Sequence, residues 1–520
     1  MTLMERRYVL PAMGELRVTA ATRAHERTVV TLQPQAEEGT EQPRADVFGT
    51  ELLPGVAVQL PAGRSFGVFS PTGCSLVVAA PHSVLQACYG TGFNATNARS
   101  VADINTHLEV LRVRARRGGE DAVGPRVLFV ADRRAAGTST YVRTLTNYAV
   151  RLGYHPLLLD AAVEAPRFGY PGVVSLYAMQ HTIDIEEEMC FAPAMHGFQG
   201  IGKHEDPLFF VHLLSQLMRL ATERMARSDR CRVGGMFVDY GMISRSLVEE
   251  AEAWECLEER LEEHRKTNPL DVLADTIAEA DIDHVFVVGS AWLRFKIAQR
   301  VHKRTGGSRM KPFVMPSAVV CGKGPSVQLF LVDATECGMS NDDLFVRRQC
   351  WLQYFFGTRT TAVKPTLLTV SASLVRFVVI GRGEAGAMST FMPMADDDPQ
   401  QVQGVVGQPI SLTYVQPQDI DLQDRILALS SATELEELPD GTLHRVPFAV
   451  FEARLRQGSD CGLCLGRICV IKQDHPSGER RSHSERHRLV LHSHRGAACN
   501  AGGTSHGMRP FRDTHESHDK

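Results

Sequence analysis

The run Val127-Leu128-Phe129-Val130-Ala131 constrains the fold of this chain more than any other stretch. Apolar residues without alternation do not suit a strand with one wet face. They suit a strand buried on both faces, the place a parallel sheet offers. Gly124-Pro125-Arg126 leads into the run, and a turn from Asp132 to Gly137 follows it. Beyond the turn, Tyr141, Leu145, Tyr148, Ala149 and Leu152 recur at helical spacing, with Gly153 placed to cap the C-terminus. Strand, tight turn and helix in this order make up the phosphate-binding unit of a P-loop protein.

The turn departs from the working pattern, which needs Gly, four residues, then Gly-Lys-Ser/Thr. Here the string is Asp132-Arg133-Arg134-Ala135-Ala136-Gly137-Thr138-Ser139. Its second glycine and hydroxyl residue are present, but Asp132 stands for the first glycine and Thr138 for the lysine. Backbone N–H groups at the helix start can still form an anion nest. The ammonium that neutralises β- and γ-phosphate charge is absent, and a carboxylate stands where backbone should approach the phosphates.

The flanking residues, Gly124-Pro125-Arg126-Val127 and Asn147-Tyr148-Ala149-Val150-Arg151-Leu152-Gly153, resemble the polyribonucleotide 5′-hydroxyl-kinase Clp family, subunits of the nuclear pre-mRNA cleavage complex. In that family the turn reads Gly-Pro-Thr-Asp-Val-Gly-Lys-Ser-Thr, so Gly137, Ser139 and Thr140 match and Thr138 replaces the lysine. The resemblance resumes at Val47-Phe48-Gly49-Thr50-Glu51-Leu52, Gly67-Val68-Phe69 and Asn105-Thr106-His107, and covers roughly residues 10–385. It implies that Glu15, in Glu15-Leu16-Arg17, contacts adenine. It also implies that Arg64, beside the place of a family lysine at Ser65, lies near the nucleotide. Taken alone, Glu15 reads as a solvated charge on an edge strand. The family aspartate that helps activate the 5′-hydroxyl falls at Asp160, in Leu159-Asp160-Ala161-Ala162-Val163-Glu164, although the Gly-Gln of the family loop is lost. Lid arginines fall at Arg347 and Arg348, before Tyr354-Phe355-Phe356-Gly357; as bare residues these read as surface charge.

Composition bounds the rest. With 43% apolar and 22% charged residues in 520, the chain reads as soluble and globular, with room for three or four domains. No run of about 18 apolar residues occurs, so no membrane span is expected. The net charge of −4 confines any RNA contact to a local groove. Cysteines such as Cys190, Cys231 and Cys321 stand singly in apolar segments, which suits a reducing compartment.

The expected fold is α/β, with a P-loop-like parallel sheet between a small N-terminal β-sandwich and a small C-terminal β-rich domain. Residues 1–110 carry short β-branched runs punctuated by Gly and Pro, and 111–120, rich in arginine, reads as a linker. Residues 122–360 form the α/β domain, where Gly235-Met236-Phe237-Val238-Asp239 reads as a Walker B-like strand ending in an acid. Residues 361–455 return to strands. The His- and Arg-rich stretch 460–520 is too poor in large apolar groups for a core and is expected to be disordered. Cys461-Gly-Leu-Cys464 lacks the second pair that a zinc site of this type requires.

The sequence thus predicts a nuclear subunit of the pre-mRNA 3′-end cleavage and polyadenylation machinery that binds, or once bound, nucleotide and is kinase-inactive. Other subunits, including a Pcf-type scaffold, are the implied partners, and RNA is a further one. The candidate nucleotide site comprises Glu15, Arg64, Ala136, Gly137, Thr138, Ser139 and Thr140, for ATP, with Mg²⁺ on Ser139; Asp160 and Arg347 are the candidate catalytic residues. The alternatives are an active ATP-dependent RNA 5′-hydroxyl kinase and an unrelated α/β protein without nucleotide.

Overall fold

A computed structural model describes residues 3–20, 27–33, 43–92, 97–119, 122–186, 192, 194–199, 202–204, 207–257, 268–304, 327–335, 350 and 352–353, and a set of strands between 365 and 494. Arg347, Arg348 and Cys461–Cys464 lie outside the described residues.

The N-terminal part is a sandwich built from β1 (Met4–Leu10), β2 (Gly14–Thr19), β3 (Thr28–Leu32), β4 (Asp46–Val47), β5 (Thr50–Glu51), β6 (Ala57–Leu60), β7 (Ser65–Ser70), β8 (Cys74–Ala80) and β9 (Tyr89–Thr91), with α1 (His82–Ala87). One sheet runs β1-β8-β3-β6 and the other β5-β4-β7-β2-β9. Along Cys74–Ala80 buried and half-buried residues alternate, as the pleat requires when only one face meets the core. Leu16, Val18, Val30, Phe66, Val68, Leu76 and Val78 fill the space between the sheets.

The arginine-rich segment expected as a linker is instead the last part of a 20-residue helix, α2 (Ala98–Arg117). Val101, Ile104, Leu108 and Ala115 recur at intervals of three, four and seven, so one helical stripe is apolar and packs against the central sheet. Arg112 is fully buried beneath it, its guanidinium 5.3 Å from the Tyr154 ring centroid and 5.7 Å from that of Phe237. The aromatic faces and the long aliphatic stem let the interior take an arginine that composition places in solvent.

The central sheet is formed by β10 (Arg126–Ala131), β11 (Leu157–Asp160), β12 (Val173–Ala178), β13 (Ala194–Phe198), β14 (Met236–Met242), β15 (His284–Val288) and β16 (Gln328–Val332). Its helices are α3 (Thr138–Arg151), α4 (Pro207–Arg227), α5 (Asp229–Gly234), α6 (Arg245–Leu257), α7 (Pro269–Glu279) and α8 (Ala291–Arg304). Strands β16, β15, β10, β14 and β11 run parallel, with β10 at their centre. Leu128 and Val130 enter a core shared with α4, α7 and α8, while Val127, Phe129 and Ala131 enter one shared with α2 and α3. Both faces are covered, which is why the run is apolar throughout.

The sheet is mixed rather than wholly parallel. β12 lies antiparallel to β11 and β13 antiparallel to β12, because the 161–172 connection holds no crossover helix. Beyond β13 the sheet takes β23 (Val450–Glu452), so part of the 361–455 region joins the central domain. The other C-terminal strands are β17 (Pro365–Ser371), β18 (Phe377–Arg382), β19 (Ile410–Val415), β20 (Ile426–Ala428), β21 (Glu436–Glu437), β22 (His444–Arg445), β24 (Ile468–Val470) and β25 (Arg488–His494). The stretch expected to be disordered therefore contains two paired strands, β24 on β20 and β25 on β17. Leu489, Val490 and Leu491 supply the apolar run that lets the latter form.

Candidate nucleotide site

The turn after β10 lies at the C-terminal edge of the parallel strands, where α/β sheets bind ligands. Ala135 at φ 52° and Gly137 at φ 105° hold left-handed backbone, and the helix starts at Thr138. This places successive N–H groups at the positive end of a 14-residue helix. Gly137 is required on two counts. Its φ disfavours L side chains, and an added Cβ would sit 1.7 Å from Thr335 Cγ2. Thr335 belongs to a strap after β16 whose N–H donates to the Ala136 carbonyl at 2.9 Å. The strap is anchored through the Asp333 carbonyl, which accepts from the Tyr141 hydroxyl at 2.9 Å and from Asn97 Nδ2 at 3.3 Å.

Asp132 does not project into the anion nest as a bare charge. Its Oδ2 accepts a hydrogen bond from the Ser290 hydroxyl, and Ser290 Oγ in turn accepts from Leu293 N in the first turn of α8. The carboxylate is thereby drawn to the N-terminus of a second helix, whose dipole favours it. Arg133 and Arg134, between Asp132 and the nest, are exposed.

Asp239, in register with Asp160 of β11, is fully buried midway along β14, which runs on to Met242 instead of ending at the acid as the sequence predicts. Its Oδ1 accepts from Gly241 N at 3.1 Å, while Oδ2 has no hydrogen-bond partner among the described residues. Burial pushes its pKa up to about 6 and the Asp160 charge pushes the same way; the hydroxyls of Ser139 and Thr138 hold it down. An acid on the strand beside the P-loop strand, facing a P-loop hydroxyl, is the arrangement that holds Mg²⁺ in P-loop proteins. The residues fit that ion. A hard cation would satisfy Oδ2, and Mg²⁺ needs few protein ligands because it keeps waters and phosphate oxygens. Among the described residues there is no ready-made cage of three or more His, Cys, Asp or Glu.

Asp160 holds a loop. Its Oδ2 accepts from the backbone N–H groups of Arg167, Phe168 and Gly169 at 3.0, 2.8 and 3.0 Å, and Oδ1 from Ala162 N at 3.1 Å. Burial raises its pKa, against the pull of these donors. All four contacts are to the 162–169 loop, so the carboxylate is committed to shaping the floor of the site.

The remaining predicted residues are distributed around this floor. Ala136 and Thr138 are buried, and Ser139 and Thr140 half-buried. Glu15 lies on β2, between β7 and β9, so it is not on an edge strand; it pairs with Arg17 at 3.4 Å. Its charge acts on Tyr148, nine residues along α3 from Ser139 and so about 13 Å away along the helix axis. Arg64, just before β7, has its Nη1 buried, and burial, with the charges of Arg167 and Arg143, brings its pKa down to about 9.

Sequence reasoning left Asp239 out of the site, although its apolar run closed by an acid was legible. Ser290 and Thr335 carry no local signal. They are recruited by folding.

Fold and site together define a P-loop-type α/β protein with an N-terminal β-sandwich. The comparisons narrow this further. Residues 9–115 match the family model described as the N-terminal β-sandwich domain of polyadenylation factor, and residues 133–253 match that of the mRNA cleavage and polyadenylation factor CLP1 P-loop. The chain thus resembles the CLP1 family over both of these domains. An mRNA cleavage and polyadenylation factor clp1 of Botryotinia fuckeliana (strain B05.10) is 24% identical over 386 residues, covering 69% of this chain and 71% of that one. The Protein CLP1 homolog of Nematostella vectensis is 27% identical, covering 46% and 54%. The Polyribonucleotide 5′-hydroxyl-kinase Clp1 of Bos taurus is 28% identical, covering 41% and 49%. The chain thus matches about half the length of these animal relatives. A solved Clp1p–Pcf11p complex shares the fold at a TM-score of 0.62 and 16% identity, covering 94% of this chain and 95% of that one.

Proposed function

We propose that this chain is a nuclear subunit of the pre-mRNA 3′-end cleavage and polyadenylation machinery that keeps a nucleotide as a structural ligand and has lost kinase activity. The observation that carries this is the pairing at the P-loop. Ser139 still faces an acid able to share Mg²⁺, while Thr138 offers its hydroxyl to that acid instead of an ammonium to the phosphates. Binding needs the nest, the cation and Asp239. Transfer also needs preorganised positive charge on the moving phosphoryl group, and losing one such donor costs roughly 10²–10³ in rate. The name of the fungal relative and the Pcf11p complexes of Clp1p support the placement in 3′-end processing and a Pcf-type scaffold as partner. In this reading Ala136, Gly137, Thr138, Ser139 and Thr140 cradle the phosphates, Ser139 with Asp239 takes Mg²⁺, and Glu15 and Arg64 line the nucleotide cleft from the sandwich.

A second reading, an ATP-dependent RNA 5′-hydroxyl kinase with Asp160 as base and Arg347 as lid cation, is favoured by the exposed Arg133 and Arg134 at the turn, which could supply the missing charge. One experiment separates the two. Nucleotide retained by the purified protein is quantified, and transfer of radiolabel from ATP to a 5′-hydroxyl oligoribonucleotide is assayed for the wild type, Thr138→Lys, and Asp132→Gly with Thr138→Lys. Retained ATP without transfer by the wild type is the expected result. Robust wild-type transfer abolished by Arg133→Ala with Arg134→Ala would establish the kinase instead.

A further inference from the structure

Two histidines from separate parts of the chain meet at the end of the central sheet opposite the P-loop turn. His107 lies on α2, the helix that follows the sandwich, and His284 opens β15, in register with Val127 near the start of β10. Their Nε2 atoms are 3.1 Å apart, and the rings meet edge to face with centroids separated by 5.1 Å. Phe330 of β16 stacks on His284 at 5.8 Å and lies 5.9 Å from His107, so both rings share an aromatic wall. His284 is buried and His107 half-buried. Asp283 Oδ1 lies 2.5 Å from His284 Nδ1 and also accepts from Arg126 N at 3.0 Å.

These hydrogen bonds fix the protons. A carboxylate only accepts, so neutral His284 carries its proton on Nδ1 and turns a bare Nε2 toward His107. His107 then donates from its own Nε2. Moving that single proton to Nδ1 of the half-buried His107 ring leaves two bare imidazole nitrogens beside one point. A carboxylate behind the second ring nitrogen is the arrangement that orients metal-ligating histidines. The spacing fits as well: with Zn–N bonds of about 2.0–2.1 Å, nitrogens 3.1 Å apart subtend about 95–102° at the ion. That angle lies between those of tetragonal and tetrahedral shells. Asp283 supplies opposite charge, against the like charge of Arg114 facing His107. No group of three His, Cys, Asp or Glu closes a shell among the described residues, so water must complete it.

We propose that His107 and His284 form a site for one divalent transition-metal ion of the Zn²⁺ type, with Asp283 orienting His284 and water in the remaining positions. An imidazole pair selects Zn²⁺, Ni²⁺ or Cu²⁺ over Mg²⁺ and Ca²⁺, which take oxygen ligands. The ion pins α2, and with it the chain leaving the sandwich, to the start of β15. It is separate from the nucleotide: five residues of strand, about 16 Å, lie between Val127 and the turn at Asp132.

The full chain, stripped with EDTA and kept reduced, is titrated calorimetrically with Zn²⁺ at about pH 7.5 as wild type, His107→Gln, His284→Gln and Asp283→Asn. Other histidines and cysteines of the chain also take Zn²⁺, so the readout is the difference between the proteins. Wild type should bind one equivalent more than either glutamine variant. Zn²⁺ should raise its melting temperature by more than theirs, with no such difference for Mg²⁺. Asp283→Asn keeps both ligands and should weaken that equivalent by roughly tenfold to a hundredfold. Near pH 5.5 the extra equivalent should be lost, because ligation requires neutral imidazoles. One readout needs no variant: carbethoxylation of His107 by diethyl pyrocarbonate, mapped by mass spectrometry, should slow at least about fivefold with Zn²⁺ and not with Mg²⁺. Equal stoichiometry in wild type and both glutamine variants, or labelling of His107 unchanged by Zn²⁺, overturns the site. The pair is then a hydrogen bond between helix and sheet, and the bound metal belongs to other side chains.

Discussion

Asp239→Asn separates stability from ligand binding at the centre of the site. Asp239 is fully buried, one carboxylate oxygen has no hydrogen-bond partner among the described residues, and burial with the Asp160 charge raises its pKa from 3.8 to about 6. A shift of about two units corresponds to roughly 3 kcal/mol of stability lost once the group is ionised in both states. The folded state holds this proton to higher pH than the unfolded state does. The contribution of Asp239 to stability therefore falls as pH rises from about 4 to about 6 and is flat above. An amide carries no charge to desolvate and does not repel Asp160, but its own N–H₂ will be imperfectly paired, which returns about 1 kcal/mol or more. The nucleotide-free variant should thus be more stable than wild type by about 1–2 kcal/mol at pH 7.5, and the gain should vanish near pH 4. Urea denaturation across this range, without Mg²⁺, reads the difference, in which the carboxylates other than the neighbouring Asp160 cancel. Added Mg²⁺ and ATP should then reverse the order. Wild type gains about 2.7 kcal/mol at a ligand concentration 100-fold above Kd, and the variant gains much less. A variant clearly less stable than wild type at pH 7.5 without ligand would refute the reasoning, since it would mean that the protein itself supplies a counter-charge to Asp239.

Gly137→Ala should destabilise by about 2–4 kcal/mol, from the left-handed φ of 105° and the Thr335 methyl in its path, whereas Gly153→Ala, at φ 83° with nothing within 4 Å, should cost only about 1–2 kcal/mol. Chemical denaturation of both checks this. Asp160→Ala strips the acceptor from four backbone N–H groups, and should cost about 3–5 kcal/mol and expose the 162–169 loop to limited proteolysis. Asn147 ties the sandwich to the central domain: its Nδ2 donates to the Phe48 carbonyl at 2.9 Å and to Thr50 Oγ1 at 3.0 Å, and its Oδ1 accepts from Ile183 N at 2.8 Å. Asn147→Ala should cost about 3 kcal/mol, and calorimetry should show the loss in the transition that involves both domains.

Much of the architecture is legible in the chain because its signals are local. An uninterrupted apolar run such as Val127–Ala131 has one use in a globular protein, a strand covered on both faces. The turn and helix that follow are set by a glycine, a hydroxyl and a 3.6-residue repeat. The β-branched runs of the sandwich follow the pleat in the same way. Local signals misled where one residue type outweighed the pattern. Arginines at 112, 114, 116 and 117 made a helix look like a linker, although Val101, Ile104, Leu108 and Ala115 already traced its apolar stripe.

What the sequence alone determined is the class of site: strand, turn and helix carrying Gly137 and Ser139, with an acid closing the apolar run of each of two further strands. What each charged group does was decided only by the tertiary structure. Asp132 looked like a repulsive charge facing the phosphates until Ser290, 158 positions away, drew it to another helix. Asp160 looked like a free base and became the acceptor for its own loop. Asp239 became the open acid because folding sets it beside Asp160 and within reach of the Ser139 hydroxyl. The physical reason is the same throughout. Apolar burial depends on residue type and repeats along the chain, so it can be read there. The free energy of a charge depends on its desolvation and its nearest partners, and folding brings those partners from anywhere in the sequence.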